Sequence, residues 1–156
     1  AFLETMKRPF SLVFKQEVKD IILLKQIREA LHYIPMDRSD MKQSMKVILE
    51  ASNRVKAGEN FLIFAEGTRS RNGNETLPFK AGAFKAATRV KAPIVPVALL
   101  DSYAPFDRST TEPVTVQIHY MKPMYYEEYA GMKTTEIALE VEKRIREEIH
   151  KRMKAE

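Results

Sequence analysis

The chain has 156 residues, of which 44% are hydrophobic and 30% are charged, so it can fold as a globular domain with its own core. Its net charge of +5 favours anionic partners: a phospholipid head group, a membrane surface, an acidic carrier protein, coenzyme A or nucleic acid. The absence of cysteine excludes disulfides, thiolate metal sites and a cysteine nucleophile.

The first half of the chain has the periodicity of alternating strands and helices. Residues 9–14 predict a strand, residues 15–31 a helix and residues 32–36 a short strand. Asp40 can cap a second helix that ends near Gly58. The residues that this helix is expected to turn inward are Met41, Met45, Ile48, Leu49 and Val55. Residues 61–65 then predict a buried strand.

The second half continues the alternation. It predicts a helix at residues 80–90, strands at 94–100 and 114–120, and a last helix at about 134–154. The apolar repeat of the last helix is Ile137, Val141, Ile145, Ile149 and Met153. The charged pairs predicted for its outer face are Glu142–Arg146, Glu147–Lys151 and Glu148–Arg152. This order predicts an α/β fold, a mostly parallel mixed sheet flanked by helices, in a single domain over residues 1–156.

The densest group of polar side chains follows the strand predicted at 61–65. Gly67 permits a positive φ or a close approach of the backbone to a ligand. Thr68 supplies a hydroxyl and an amide, and Arg69 supplies a planar fork that matches phosphate oxygens. Glu66 would repel phosphate, so we expect it to orient an arginine or a substrate hydroxyl. The alternative is a solvated loop with a surface Glu–Arg pair.

Arg38 occupies an equivalent place after the preceding strand of the predicted sheet. Ligands of parallel sheets bind beyond the carboxyl ends of the strands, where both Arg38 and the Glu66–Arg69 turn are expected. Two arginines could hold one anion. The alternative is a surface Arg38 that pairs with Asp37 or Asp40.

Four blocks resemble one family in the family's own order. The segment Phe64-Ala-Glu-Gly-Thr-Arg-Ser70 closely resembles the Phe-Pro-Glu-Gly-Thr-Arg-Ser block of the PlsC-like glycerolipid acyltransferases, which include the 1-acyl-sn-glycerol-3-phosphate acyltransferases. The other blocks are Tyr33-Ile-Pro-Met-Asp-Arg38, Pro78-Phe-Lys-Ala-Gly-Ala83 and Ile94-Val-Pro-Val97. The resemblance implies a glycerol-3-phosphate acyltransferase-like fold. The acceptor-binding residues that it implies are Arg38, Glu66, Gly67, Thr68 and Arg69, with the two arginines on the phosphate.

Two features depart from the family pattern. Ala65 replaces a proline that stiffens the strand exit, which is a mild change. The catalytic Asn-His block with its His-x4-Asp motif is absent, and the family places it shortly before a segment like residues 1–10. We therefore expect an N-terminally truncated domain, whose catalytic histidine and aspartate lie upstream of Ala1. On this interpretation the chain alone has no acyl-transfer activity.

The three histidines do not replace the missing block. His32, His119 and His150 lack a family-like aspartate, and their spacing is not that of a metal site. We interpret all three as structural or surface residues. No metal or cofactor is expected.

The resemblance implies transfer of a fatty acyl group from an acyl thioester to the free hydroxyl of lysophosphatidate, in phospholipid biosynthesis. The donor, acyl-CoA or acyl carrier protein, is a co-substrate. An anionic membrane surface is a further expected partner. The implied location is the cytoplasmic face of a membrane, with peripheral attachment or an anchor upstream of the chain.

Two alternatives stay open. One is a non-catalytic module that binds anionic lipid, and the other is a family member that acts on glycerol 3-phosphate or a different lysophospholipid. Nucleic acid is not expected as a partner. The reason is that Phe61, Phe64 and Phe79 fall on core-like positions instead of forming an exposed stacking platform.

Overall fold

The computed structural model describes residues 2–15, 32–36, 40–107 and 113–154. The strands are Phe10–Lys15 (β1), Ile34–Met36 (β2), Asn60–Leu62 (β3), Val97–Leu100 (β4) and Gln117–Tyr120 (β5). The α-helices are Phe2–Thr5 (α1), Met41–Lys56 (α2), Lys85–Val90 (α3), Ala104–Asp107 (α4), Tyr126–Tyr129 (α5) and Thr134–Met153 (α6), and Ala81–Phe84 forms a 3-10 helix. The α/β prediction is confirmed. The helix predicted at residues 15–31 lies outside the described residues.

The chain divides into two compact units. The first consists of Met6–Ile63 and Lys85–Ala92. The second consists of Ala1–Thr5, Phe64–Phe84 and Pro93–Glu156. The expectation of a single domain stays a prediction.

The first unit is built on a parallel sheet with the strand order β2-β1-β3. Val13 of β1 lies opposite Ile34 of β2, and Leu12 of β1 lies opposite Leu62 of β3. Since all three strands run in one direction, β2 and β3 end at the same edge of this sheet. The core cluster is formed by Ile34, Val47, Ala51 and Ala86, with Val13, Met36 and Phe61 packed against it.

Helix α2 begins at the predicted cap. One carboxylate oxygen of Asp40 accepts the backbone N–H of Lys42 at 2.8 Å and that of Gln43 at 3.1 Å. The predicted inward face is wrong at two positions, because Met45 is 69% exposed and Leu49 is 45% exposed. Among the α2 side chains that the structure describes, which do not include Met41, the buried ones are Val47, Ala51 and Ser52. Small side chains at 51 and 52 let the helix pack closely, whereas hydrophobicity alone predicts that the larger apolar side chains are the buried ones.

Arg54 connects three segments of the first unit. Its guanidinium donates to the Ser11 hydroxyl at 2.6 Å and to the carbonyl of His32 at 2.8 Å. It also pairs with Glu59 at 2.6 Å and lies 5.0 Å from the centre of the Phe61 ring. One side chain at the end of α2 thus links β1, β3 and His32, which lies two residues before β2.

The second unit joins an antiparallel strand pair to the longest helix. Val97 of β4 lies opposite Tyr120 of β5, and a bridge between Ile94 and Met124 extends the pairing. The described strands thus form a parallel sheet in the first unit and a separate antiparallel pair in the second. The buried face of α6 is Ile137, Ala138, Val141, Ile145 and Ile149. Met153, predicted as part of this face, is exposed.

Within the described ranges, no helix has both the length and the apolar character needed to cross a bilayer.

Candidate functional site

The Glu66–Arg69 segment of the second unit begins inside a tight turn over residues 64–67. The backbone N–H of Gly67 donates to the carbonyl of Phe64 at 3.1 Å, and Gly67 has a φ of +78°. This left-handed conformation is the one that glycine adopts without steric cost. Thr68 and Arg69, which follow, have exposed side chains. The turn therefore presents a hydroxyl and a guanidinium towards solvent.

Glu66 points to a backbone donor of its own unit. One of its carboxylate oxygens accepts the Leu77 N–H at 2.8 Å. Burial raises the pKa of Glu66, and the hydrogen bond from Leu77 partly opposes that shift. Among nearby charges, Glu142 raises the pKa and Arg146 lowers it. A second bond, from the Lys80 N–H to the Ala65 carbonyl at 2.8 Å, ties the turn to the end of the same loop.

The loop after the turn is attached to helix α6 by two charged side chains. Glu142 accepts the backbone N–H of Phe79 at 3.0 Å. Arg146 donates to the hydroxyl of Thr76 at 2.8 Å and to its carbonyl at 2.9 Å. The two side chains also pair with each other at 2.9 Å. The Glu142 and Glu148 side chains are only 14% and 16% exposed, so the assignment of these two to an outer face is wrong.

A reciprocal side-chain and backbone contact holds the other part of the loop. The amide group of Asn74 donates to the Asp101 carboxylate at 3.2 Å, and its oxygen accepts the Asp101 N–H at 2.7 Å. Asp101 has a φ of +56°, which aspartate tolerates better than most residues. The loop is thus fastened on both sides of residue 75.

The start of the turn carries an exposed aromatic ring. Phe64 is 52% exposed and makes an edge-to-face contact with Phe2, with 6.2 Å between the ring centres. The core-like position predicted for Phe64 is therefore wrong. Phe61 and Phe79 are partly buried, as their patterns indicate.

The structure brings together four of the five predicted binding residues, the contiguous Glu66–Arg69. Arg38 lies outside the described residues, so its role on the same anion stays a prediction. Residues that the sequence analysis missed are Asn74, Asp101 and, as loop anchors, Glu142 and Arg146. The i,i+4 spacing indicated the Glu142–Arg146 pair, but nothing in it indicated a tertiary partner.

The histidines make separate contacts. The His32 carbonyl accepts from Arg54, a ring nitrogen of His119 lies 3.0 Å from the side-chain oxygen of Gln117, and His150 is exposed on α6. In the part of the chain that the structure describes, no three acidic or histidine side chains are grouped so that they could hold a metal ion.

Comparison with known proteins places these features in a family. Residues 1–100 match the Acyltransferase family. Over 121 residues the chain is 34% identical to a 1-acyl-sn-glycerol-3-phosphate acyltransferase of Limnanthes douglasii, an overlap that covers 72% of this chain and 41% of the plant protein. Over 93 residues it is 31% identical to 1-acyl-sn-glycerol-3-phosphate acyltransferase alpha of Mus musculus, covering 57% of this chain and 32% of the mouse protein. The chain thus spans less than half the length of either relative.

A solved structure has the same fold. The crystal structure of the 1-acyl-sn-glycerophosphate (LPA) acyltransferase PlsC from Thermotoga maritima matches with a TM-score of 0.74 at 21% identity, covering 95% of this chain and 58% of that one. This likeness confirms the predicted fold. Because the family match includes the Glu66–Arg69 turn and well over half of the residues, the chain belongs to the acyltransferase family.

Proposed function

We propose that the chain is part of an enzyme that transfers a fatty acyl group from an acyl thioester to the free hydroxyl of lysophosphatidate. The observation that carries this proposal is the Glu66–Arg69 turn, with a left-handed Gly67 and exposed Thr68 and Arg69. The similarity to proteins named 1-acyl-sn-glycerol-3-phosphate acyltransferase supports the choice of acceptor. The donor is acyl-CoA or acyl carrier protein.

In this proposal the turn binds the acceptor phosphate. The planar guanidinium of Arg69 can form two parallel charge-assisted hydrogen bonds with phosphate oxygens, and the Thr68 hydroxyl can donate a third. Glu66 is proposed to act on the loop, because one oxygen of its carboxylate accepts the Leu77 N–H. Its role is to fix the turn against the loop that follows.

The chemistry itself needs a general base. The family resemblance assigns that role to the histidine of the Asn-His block, a motif that these 156 residues do not contain. The histidine removes the proton of the acceptor hydroxyl while the oxygen attacks the thioester carbonyl. The carbon–sulfur bond then breaks, and the thiol leaves with a proton. The residues of this chain contribute acceptor binding to that reaction.

An enzyme with a lipid acceptor acts at a membrane surface. The net charge of +5 supports attraction to an anionic lipid surface. We propose action at the cytoplasmic face, where anionic lipids give the surface its negative potential.

The test measures thiol release from acyl-CoA, with and without lysophosphatidate. It compares this chain with a polypeptide extended at its N-terminus by the family's His-x4-Asp block. We expect release that requires both the extension and the acceptor. If the extended polypeptide releases no thiol with either acyl-CoA or acyl carrier protein as donor, the proposal fails. Retained binding of anionic vesicles would then favour the non-catalytic module.

A further inference from the structure

The loop between the turn and the 3-10 helix is held mainly by charged side chains. Backbone N–H groups of Leu77 and Phe79 donate to the carboxylates of Glu66 and Glu142. Between them, Pro78 has no N–H to donate. Arg146 donates to both oxygens of Thr76, that of the side-chain hydroxyl and that of the backbone carbonyl. Charge-assisted hydrogen bonds of this kind are the stronger class in proteins.

The same loop is joined to the turn at two points. Leu77 binds Glu66, and the N–H of Lys80 binds the carbonyl of Ala65. A shift of residues 76–79 therefore displaces Glu66 and Ala65, which immediately precede Gly67. Hydrogen bonds therefore connect helix α6 to residues 76–79, and residues 77 and 80 to the turn.

We propose that Glu142 and Arg146 of α6 are positioning residues for the acceptor site, which they serve by holding residues 76–79 against the helix. This inference rests on the proposed function, because it assigns acceptor binding to the turn. Neither residue touches the acceptor. Both lie beyond residues 1–100, the part of the chain that matches the family, so no motif of that match includes them.

The charges of the pair suit this role. Glu142 and Glu66 are like charges that repel, and Arg146 compensates by pairing with Glu142. Loss of Arg146 removes both bonds to Thr76 and also leaves the two carboxylates uncompensated. The turn is then expected to lose its fixed conformation, while the apolar face of α6 stays packed.

The chain offers a matched control on the same helix. Arg152 pairs with Glu148 at 2.7 Å with the same i,i+4 spacing, and the Glu148 side chain is 16% exposed, close to the value for Glu142. Arg152 donates its Nε–H to the Glu148 carboxylate, a partner on its own helix. Arg152→Met therefore removes an equivalent ion pair without affecting residues 76–79.

The experiment measures binding of a short-chain lysophosphatidate by calorimetry, beside a monoacylglycerol of the same chain length that lacks the phosphate. We expect Arg146→Met to weaken lysophosphatidate binding about tenfold, as loss of charge-assisted bonds at an anchoring site would. Glu142→Gln is expected to act in the same direction. Monoacylglycerol binding should stay unchanged, Arg146→Lys should restore part of the affinity, and Arg152→Met should match the unchanged chain.

A second readout follows the anchor directly. Hydrogen exchange of the Leu77 and Phe79 amides should accelerate in Arg146→Met and stay the same in Arg152→Met. If Arg146→Met and Arg152→Met bind lysophosphatidate equally well, the positioning role is overturned and the proposed function survives. Equal losses for both ligands would also overturn it, because they indicate general destabilisation. If the unchanged chain binds neither ligand, the acceptor site itself is refuted.

Discussion

Substitutions of Glu66 can separate the effect of its charge from that of its hydrogen bond. Its carboxylate accepts the Leu77 N–H at 2.8 Å, while burial raises its pKa. Glu66→Gln keeps an oxygen acceptor at this place and removes the charge. Glu66→Ala removes both. The two variants therefore test which property of Glu66 stabilises the loop.

The expected difference follows from the contact with Leu77. An amide N–H that loses its acceptor in a partly buried place costs about 1–3 kcal/mol. We expect Glu66→Ala to lower the free energy of unfolding by that amount relative to Glu66→Gln, towards the lower end because Leu77 is only half-buried. At neutral pH Glu66→Gln should be at least as stable as the unchanged chain, since burial disfavours the ionised carboxylate.

The pH dependence has a definite sign. Because the pKa of Glu66 is raised in the folded state, the folded chain keeps this proton at pH values where the unfolded chain has lost it. The associated stabilisation is present below the ordinary glutamate pKa and is lost as the pH rises through the raised pKa. The pKa values of Glu59 and Glu148 are lowered, so these groups affect stability only as the pH falls below the ordinary glutamate pKa. Both are present in the unchanged chain and in Glu66→Gln, so their effects cancel in the comparison.

Urea unfolding between about pH 4 and pH 8 provides the assay. The unchanged chain should lose stability relative to Glu66→Gln as the pH rises through this range. Two results would refute the reasoning. One is equal stability of Glu66→Ala and Glu66→Gln, and the other is a gain of the unchanged chain over Glu66→Gln with rising pH.

Two further substitutions test the site and the first unit. In the extended polypeptide, Arg69→Ala should weaken transition-state binding for lysophosphatidate, measured from kcat/KM, by roughly 1.5–3 kcal/mol. The loss for a monoacylglycerol should be much smaller. Equal losses for the two acceptors would make Arg69 purely structural. Arg54→Met should lower the free energy of unfolding by about 2–4 kcal/mol, because the charged bonds to Ser11 and the His32 carbonyl are lost. Urea unfolding measures this, with Glu50→Gln as the control, since exposed Glu50 lies 3.9 Å from Arg54. A loss under about 1 kcal/mol for Arg54→Met would contradict the linking role of Arg54.

Local patterns predicted the features that depend on local physics. The apolar repeat predicted α6, the carboxylate of Asp40 predicted the start of α2, and of the two alternatives given for Gly67 the positive φ is observed. Each depends on residues within about one helical turn or one β-turn, where propensity and capping act directly.

Features that depend on tertiary partners could not be predicted in this way. Glu142 has an ordinary i,i+4 partner in Arg146, but its contact with Phe79 spans 63 residues of sequence. Strand β3 ends at Leu62, so strand alternation no longer sets the direction of the Phe64 ring. The exposure of Met45 could not be predicted, because hydrophobicity alone does not identify the helix face that close packing selects.

The long sequence separation of the α6 contacts sets an order in which the protein can assemble during its synthesis. Arg146 and Thr76 are 70 residues apart, so at 5–20 residues per second the anchor emerges roughly 4 to 14 seconds after the loop that it holds. The first unit has all its segments once Ala92 has been made. A nascent chain therefore contains the whole parallel sheet before the Glu66–Arg69 turn can acquire its anchor. On the proposed function, competence to bind the acceptor is thus acquired late, when α6 has been made.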